Sequence, residues 1–569
     1  MAQKRDQILD YAIVGAGVAG TYTAWRIARA QSPLRPRIRI FEALKKEGGR
    51  LVTAKIPGMP FYAELGGMRY IAGHIILASL AKELKLVSEE FKFDRKRLFL
   101  RGQLIKPDGN PDAYSLKSGT LPVNYLKRTL STALSEMEFP SADPMTAYVL
   151  RKKIEAIPTH PKGLHYSSLT PDEWDEVKRH GWLKEQPLYK SGFWNLLHHY
   201  FESWEVFCFV RDALGYHSIF ENWNAAEAIP WFLKDFDADY LRLRGGMEQL
   251  PVRLVQGIER RLDGDGWKSF EFEHEVRSIS AVWATEEAAP VYELRFAETE
   301  NTARARNVVL AIPQKGLKEI DFIGFDQGRK RALENKLDSI KGHPLFKLFL
   351  GYDQAWWGDL GDNNTSGRAV TDLPLRQVYY FGAGNSWDPI NKRPDLTTKM
   401  GVLMAGYSDA DYVDFWRPLH RDNRTGEKEE PYCKLNGDLE PEEKALLEAF
   451  GATDRMVRKA QRQLRMMHPG IEIPEPLIAF EKVWEAGWHS WQPHYPSWEI
   501  IDFLKRPFGR GVNIFICGEA FSCEQGWAEG ALRSTELVLD ELGFKKPDWL
   551  ETTALDGVKY NFEKYIGKA

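Results

Sequence analysis

The run Tyr11-Ala-Ile-Val-Gly15-Ala-Gly17-Val-Ala-Gly20-Thr-Tyr-Thr-Ala-Trp-Arg-Ile-Ala-Arg-Ala30 decides the fold. Its first four residues form a short apolar segment, the pattern of a strand buried on both faces of a parallel sheet. Three glycines follow at G-x-G-x-x-G spacing. Gly15 permits a tight turn, Gly17 lets backbone approach a pyrophosphate, and Gly20 lets the following helix pack closely. Val18 and Ala19 begin that helix, whose unpaired N–H groups and positive dipole end suit phosphate oxygens. Arg37-Ile-Arg-Ile-Phe41 then predicts a second strand ending at Glu42 and Ala43. An acid about 20 residues past the last glycine suits the hydroxyl pair of a ribose.

At 569 residues the chain exceeds one ordinary domain and can bury large cores. Lys plus Arg (77) nearly balances Asp plus Glu (80), so no global charge points to nucleic acid or an anionic membrane. No apolar run approaches the roughly 18 residues of a membrane span. Cys208, Cys433, Cys517 and Cys523 lack metal-ligand spacing and are too few for a disulfide framework. The nucleotide strand starts near residue 10, which leaves no room for a secretory signal ahead of it, and cytoplasmic residence is the expectation.

Two glycine pairs extend the opening pattern. Glu47-Gly-Gly49-Arg50-Leu51 follows the second strand, and Phe61-Tyr-Ala-Glu-Leu-Gly66-Gly67-Met68-Arg69-Tyr70 comes soon after. Paired glycines let backbone lie against a flat ring, and a guanidinium fork suits bidentate carboxylate binding. Behind a G-x-G-x-x-G, these segments resemble the flavin-containing amine oxidase family, and particularly its L-amino acid oxidase branch. The resemblance implies FAD as cofactor, with Gly49 and Arg50 along the pyrophosphate and Gly66, Gly67 and Met68 passing the flavin ring. It sets Arg69 on the substrate carboxylate.

The same resemblance places residues farther along. Val276 matches the position whose backbone meets adenine. Lys347 stands in the apolar middle of His343–Tyr352, where a buried ammonium is costly without partners; the family carries there a lysine that holds a water near flavin N5. In Thr371-Asp-Leu-Pro-Leu-Arg-Gln-Val-Tyr379-Tyr380 a tyrosine hydroxyl is implied beside the arginine, with Tyr380 favoured and Tyr379 left open. Trp488 lies in a tryptophan-rich run, 484–498, that corresponds to the family's run beside the flavin. Monoamine oxidases carry their flavin-linking cysteine in this neighbourhood. Here His489 and Ser490 stand nearest, with no cysteine between 434 and 516, so the FAD is expected to be non-covalent.

Toward the C-terminus, Asn513-Ile-Phe-Ile-Cys517-Gly518-Glu519 reads as a buried strand leading to an acid that the family places on the ribityl chain. Gly526-Trp527-Ala528 opens a helix whose positive end would stabilise charge at the flavin. The family uses the glycine carbonyl here for the substrate amine and the aromatic ring as a substrate wall, which implies those roles for Gly526 and Trp527. Between these anchors, Trp223, Trp231 and Phe232 with Trp527 predict a side-chain pocket for large apolar or aromatic groups. An inward Asp235 or Asp237 would instead select arginine or lysine. His198 and Glu202 share a helix face without a third ligand, so no metal is expected. His217 is a weak candidate for a base near the substrate.

These readings predict an α/β fold with an α+β substrate domain. A Rossmann-like FAD-binding domain gathers residues 1–73, 243–340 and 505–569. A mixed-sheet substrate-binding domain gathers 74–110, 219–242 and 341–504, and a helical domain spans 111–218. The expected partners are an L-amino acid and dioxygen, with no nucleic acid or membrane, and a homodimer stays open. The activity implied is oxidation of L-amino acids, bulky apolar and aromatic ones first, to 2-oxo acid, ammonia and hydrogen peroxide. Its rivals are an L-amino acid monooxygenase that decarboxylates to an amide, an oxidase selective for arginine or lysine, and a non-catalytic flavoprotein.

Overall fold

The structure, a computed structural model, describes residues 8–30, 35–91, 95–105, 122–157, 168–201, 203–236, 238–264, 266–282, 290–297, 299–360, 366–382, 399–420, 429–435, 437–553 and 559–567. Its first sheet has eight strands, and Leu9–Val14 lies inside it, parallel to Ile38–Glu42 on one edge and Thr302–Leu310 on the other. The opposite edge of Thr302–Leu310 is divided. Residues 302–305 pair antiparallel with Val291–Phe296, and residues 308–310 pair parallel with the late strand Ile514–Ile516. Burial from both faces explains the unbroken apolar run, and Ala12 and Ile13 are fully enclosed.

The turn out of the first strand closes only with glycine. Gly15 has φ +100°, and a Cβ there would stand 2.6 Å from the Ala311 carbonyl oxygen. A Cβ on Gly20 would stand 1.9 Å from the Gly15 carbonyl oxygen, so the helix Val18–Arg29 could not seat against the strand end. This helix packs against Gln249–Leu262 and Ala528–Glu541. A buried Arg26–Glu536 ion pair, joined by the Tyr22 hydroxyl, fixes the second contact.

The second sheet is mixed and has seven strands, in the order Ile478–Trp491, Ile340–Tyr352, Gly401–Asp409, Gln377–Phe381, Gly367–Thr371, Arg95–Leu100 and Gln103–Ile105. Helices between residues 122 and 236 enclose a core of their own around Leu126, Trp174, Phe193 and Phe207. Two segments pack away from the second sheet, to which the sequence reading assigned them. Helix Ile75–Glu83 buries Ile76 and Leu80 in the first sheet's core, because Glu529 accepts from its Ile76 and Leu77 N–H groups. Residues 219–233 contribute Ile219, Phe220 and Phe232 to the helical core. Within 74–110 the strand Ser88–Glu90 pairs with Tyr240–Leu243 in a small separate sheet. The C-terminal Tyr560, Tyr565 and Ile566 complete the first core, and the Tyr565 hydroxyl donates to Glu529 at 2.7 Å. No helix among the described residues is long and apolar enough to cross a membrane.

Candidate active site

Two uncapped helix ends define the cofactor side. Gly17 precedes helix Val18–Arg29, with no side-chain cap and no acid in the first turn, so the N–H groups of Val18, Ala19 and Gly20 are left for an anion. The Gly49 backbone closes over this point, where a Cβ on Gly49 would approach the Gly17 Cα to 3.1 Å. Glu42 stands beside the turn and accepts from the N–H groups of Ala16 (2.7 Å) and Leu44 (2.9 Å). Ala43 is exposed and Val276 buried. Trp527 precedes the second helix, Ala528–Glu541, also without a side-chain cap. Glu529 in its first turn is already engaged by the helix Ile75–Glu83.

Between the helix ends lies an ion pair, half-buried Arg50 to buried Glu519 at 2.7 Å. The other Glu519 oxygen accepts from the N–H groups of His489 (3.0 Å) and Gly526 (2.7 Å), and the His489 ring lies 2.8 Å from the carboxylate. Burial alone would raise the pKa of this carboxyl; Arg50 and His489 outweigh burial and hold it well below the usual range. Gly518 ahead of it donates its N–H to Ser534 at 2.9 Å. One carboxylate therefore ties together four of the motif segments.

The two glycine-pair segments cross at contact distance. A Cβ on Gly66 would fall 2.0 Å from the Arg50 carbonyl oxygen. Above the crossing opens a chamber of about 140 Å³. Gly66, Gly67, Met68, Gly526, Trp527 and Ala528 line its cofactor side. Trp231, Trp488, Ile219 and Leu345 make an apolar wall.

Arg69 reaches into this chamber. Its guanidinium donates to the Tyr379 hydroxyl (3.3 Å) and the Tyr216 hydroxyl (3.5 Å) and lies 4.1 Å from the centre of the Tyr240 ring. Tyr240 in turn stacks on Trp527, centroids 6.3 Å apart. Tyr407 packs edge-on to Tyr216, and burial pushes its phenol up to about 12, so it stays a neutral hydroxyl. Lys347 lies across the ladder from Tyr407 and is 3% exposed. It donates to the carbonyls of Glu64 (2.9 Å) and Gly66 (2.5 Å), which satisfies the ammonium inside an apolar strand. Burial lowers its pKa far below the usual lysine value; the Arg69 charge acts in the same sense and Glu64 opposes it.

The structure corrects several sequence assignments. Tyr380 is not beside Arg69: its hydroxyl bonds to His468 at 2.7 Å inside the second sheet's core. Successive residues on a strand face opposite sides, so Tyr379 takes the position at the arginine. Trp223 is wedged between Trp231 and Trp488 behind the wall, and Phe232 stacks on Phe193 in the helical core. The chamber's aromatic set is therefore Trp231, Trp484, Trp488 and Trp527 with Tyr216 and Tyr407. His217 packs edge-on to Tyr412, away from the chamber. Asp235 lies on helix Ala225–Phe236 with its side chain outside the described residues, and Asp237 and Glu202 also lie outside them. Among the described residues no cluster of His, Cys, Asp and Glu is disposed to hold a metal ion. Tyr216, Tyr407, Ile219 and Leu345 were not singled out in the sequence. Only Tyr407 carried a signal, its place across from a buried lysine, and reading it requires the strand register.

The uncapped helix ends, the glycine crossing and the Arg50–Glu519 pair fit a flavin dinucleotide. Residues 18–448 match the model of the flavin containing amine oxidoreductases, and the chain belongs to that family. It is a flavin-dependent oxidoreductase. Its relatives include Aplysianin-A of Aplysia kurodai, 26% identical over 94% of this chain and 90% of that one. Achacin of Lissachatina fulica is 25% identical over 94% and 93% of the two chains, and an L-amino acid oxidase of Bothrops pictus is 22% identical over 72% and 70%. Among solved structures, wild-type putrescine oxidase bound to putrescine superposes with a TM-score of 0.58 over 95% of this chain and 100% of that chain, at 17% identity. That likeness is one of fold.

Proposed function

We propose that the protein oxidises L-amino acids, bulky apolar and aromatic ones preferentially, to 2-oxo acid, ammonia and hydrogen peroxide. The observation that carries this reading is Arg69 on the wall of a largely aromatic and aliphatic chamber, bonded to the Tyr216 hydroxyl beside it and to the Tyr379 hydroxyl behind it. A fork of donors flanked by phenol hydroxyls suits a carboxylate, and an amine without a carboxylate has no use for it. Bound FAD would supply the acceptor for a hydride from the substrate Cα and the route by which the electrons reach dioxygen. The substrate amine must be neutral for this step. A free α-amino group has a pKa near ~8, and an apolar chamber lowers it, so no dedicated base is needed. The Gly526 carbonyl is the acceptor that orients the amine, and Trp527 with Tyr240 forms an aromatic wall against the substrate. Trp231, Trp488, Ile219 and Leu345 reward large apolar side chains through buried area. The name of the Bothrops pictus relative supports the same substrate class.

Turnover of L-phenylalanine, L-leucine, L-arginine and L-lysine, compared as kcat/KM with peroxide and 2-oxo acid detection, tests the proposal. Amide product in place of 2-oxo acid would make the protein a monooxygenase. Preference for L-arginine that Asp235→Asn abolishes would replace the apolar pocket with a charged one. Lys347 gives a separate test. As the residue that holds a water on the oxygen side, it is expected to matter for reoxidation, so Lys347→Met slows the reaction of reduced enzyme with oxygen in stopped flow. Slowing confined to anaerobic reduction by substrate would reject that role.

A further inference from the structure

A second cavity lies behind Trp231. That indole and Gln525, whose neighbour Gly526 faces the chamber, separate the two spaces. Helices of the helical unit border it on one side, and the helix Ala528–Glu541 with Tyr560 and Tyr565 borders it on the other. The wall is buried yet polar. Four of its side chains carry a buried nitrogen with no hydrogen-bond partner among the described residues: His74 Nε2, Trp223 Nε1, Trp231 Nε1 and Arg533 Nε. The Ile71 N–H donates to His74 Nδ1, which leaves the ring proton on Nε2, and Glu524 stands 3.8 Å away, beyond hydrogen-bond reach. All four nitrogens are therefore donors. Buried donors are costly unless something accepts from them.

None of the four donors reaches a carboxylate of the wall. Glu227 is engaged by Lys178 (2.8 Å) and the Ser497 hydroxyl (2.5 Å). Glu524 is engaged by Lys234 and by Arg533 Nη1 (2.9 Å). The remaining one, Asp175, bonds to none of the four nitrogens. Among the described residues, Gln525 Oε1 is the one unpartnered side-chain acceptor on the same wall. Four donors outnumber it, so further acceptors come from outside the chain. The cavity volume is about 40 Å³, and one water-sized group needs about 10–15 Å³, so a group of three or four heavy atoms fills it.

We propose that this cavity binds a small carboxylate anion, at a site separate from the amino-acid chamber but sharing the Trp231 indole with it. The inference stands on the cavity alone and does not depend on which amino acid is oxidised. Formate and acetate serve as probes. Titrated into the holoenzyme, each is expected to quench tryptophan fluorescence saturably. A crystal soaked in formate is expected to show the ion within hydrogen-bond distance of the Trp223 and Trp231 nitrogens. Trp223→Phe keeps an aromatic ring but removes one donor, and it is expected to weaken formate roughly tenfold or more while the flavin spectrum is retained. Arg69→Lys is expected to leave formate affinity unchanged. Water alone in the soaked crystal, or a titration that never saturates, overturns the proposal. So does formate binding lost in Arg69→Lys and untouched by Trp223→Phe, because the ion then sits in the chamber. The soak uses the unmodified protein and decides the question even if a variant does not fold.

Discussion

Arg69→Lys is expected to lower kcat/KM for L-amino acids by roughly 30- to 4,000-fold while the flavin stays bound. Truncating one partner of a hydrogen-bonded charge pair costs about 2–5 kcal/mol, and each 1.4 kcal/mol is tenfold. Lysine keeps the charge but loses the planar fork, so it cannot address two carboxylate oxygens while also holding Tyr379 and Tyr216. The adjacent tyrosines supply an internal control. Tyr379→Phe is expected to lower kcat/KM about tenfold, the order of one hydrogen bond to a charged group. Tyr380→Phe leaves kcat/KM near the parent value and costs stability instead, because its hydroxyl serves His468. Steady-state kinetics with a flavin absorbance check decides the matter. Equal kcat/KM for Arg69→Lys and the parent would remove the arginine from the substrate site.

Glu519→Gln is expected to release flavin and to destabilise the protein by about 1–3 kcal/mol, the order of losing hydrogen bonds to a charged group whose partner keeps some contact with solvent. The substitution removes the countercharge of Arg50 and replaces the carboxylate oxygen that meets Arg50 and the His489 ring with an NH2 donor, while the remaining carbonyl oxygen can still accept from the His489 and Gly526 N–H groups. The pH dependence has a definite sign. Because the folded carboxyl is held well below its ordinary value, its contribution is complete above about pH 4.3 and is lost as pH falls toward the depressed folded value. Loss of stability below about pH 4.3 is therefore expected to be shallower in the glutamine variant than in the parent. Thermal melts across pH, with flavin measured in an ultrafiltrate, test both parts. Full flavin retention with an unchanged Tm would show that the network does not hold the site together.

How much of this was legible follows from how local each constraint is. The strand–turn–helix of residues 9–29 is set by nearest-neighbour sterics at Gly15 and Gly20, and the sequence displays it directly. A lysine in an apolar strand announces that its ammonium needs partners, yet not that they are the carbonyls of Glu64 and Gly66, more than 280 residues away. The choice between Tyr379 and Tyr380 is a question of strand parity. Parity depends on which sheet face meets the chamber, and the ladder to Gly401–Asp409 contains a bulge between Gln377 and Tyr379 that resets it. Trp231 and Phe232 sit about 100° apart on one helix, so adjacent aromatics part company, one to the chamber and one to the helical core. Tyr216 follows a helix end at Gly215 and belongs to no pattern that a linear reading can recognise.

The pairing of Ile514–Ile516 with Thr302–Leu310 also bears on how the protein is made. A ribosome releases the glycine turn among the first residues and the partner strand some 300 residues later. The edge of Thr302–Leu310 at residues 308–310 stays open until Ile514–Ile516 has emerged, about 200 residues later. During that interval the nascent chain exposes an unpaired apolar strand edge, the condition that invites misassembly and chaperone capture. The cofactor side is thus among the last parts to mature, since Glu519 and the helix Ala528–Glu541 arrive behind that strand. Fragments that stop before residue 514 lack both the covering strand and the carboxylate, so dissection of this protein into expressible halves has to keep its two ends together, by circular permutation rather than truncation.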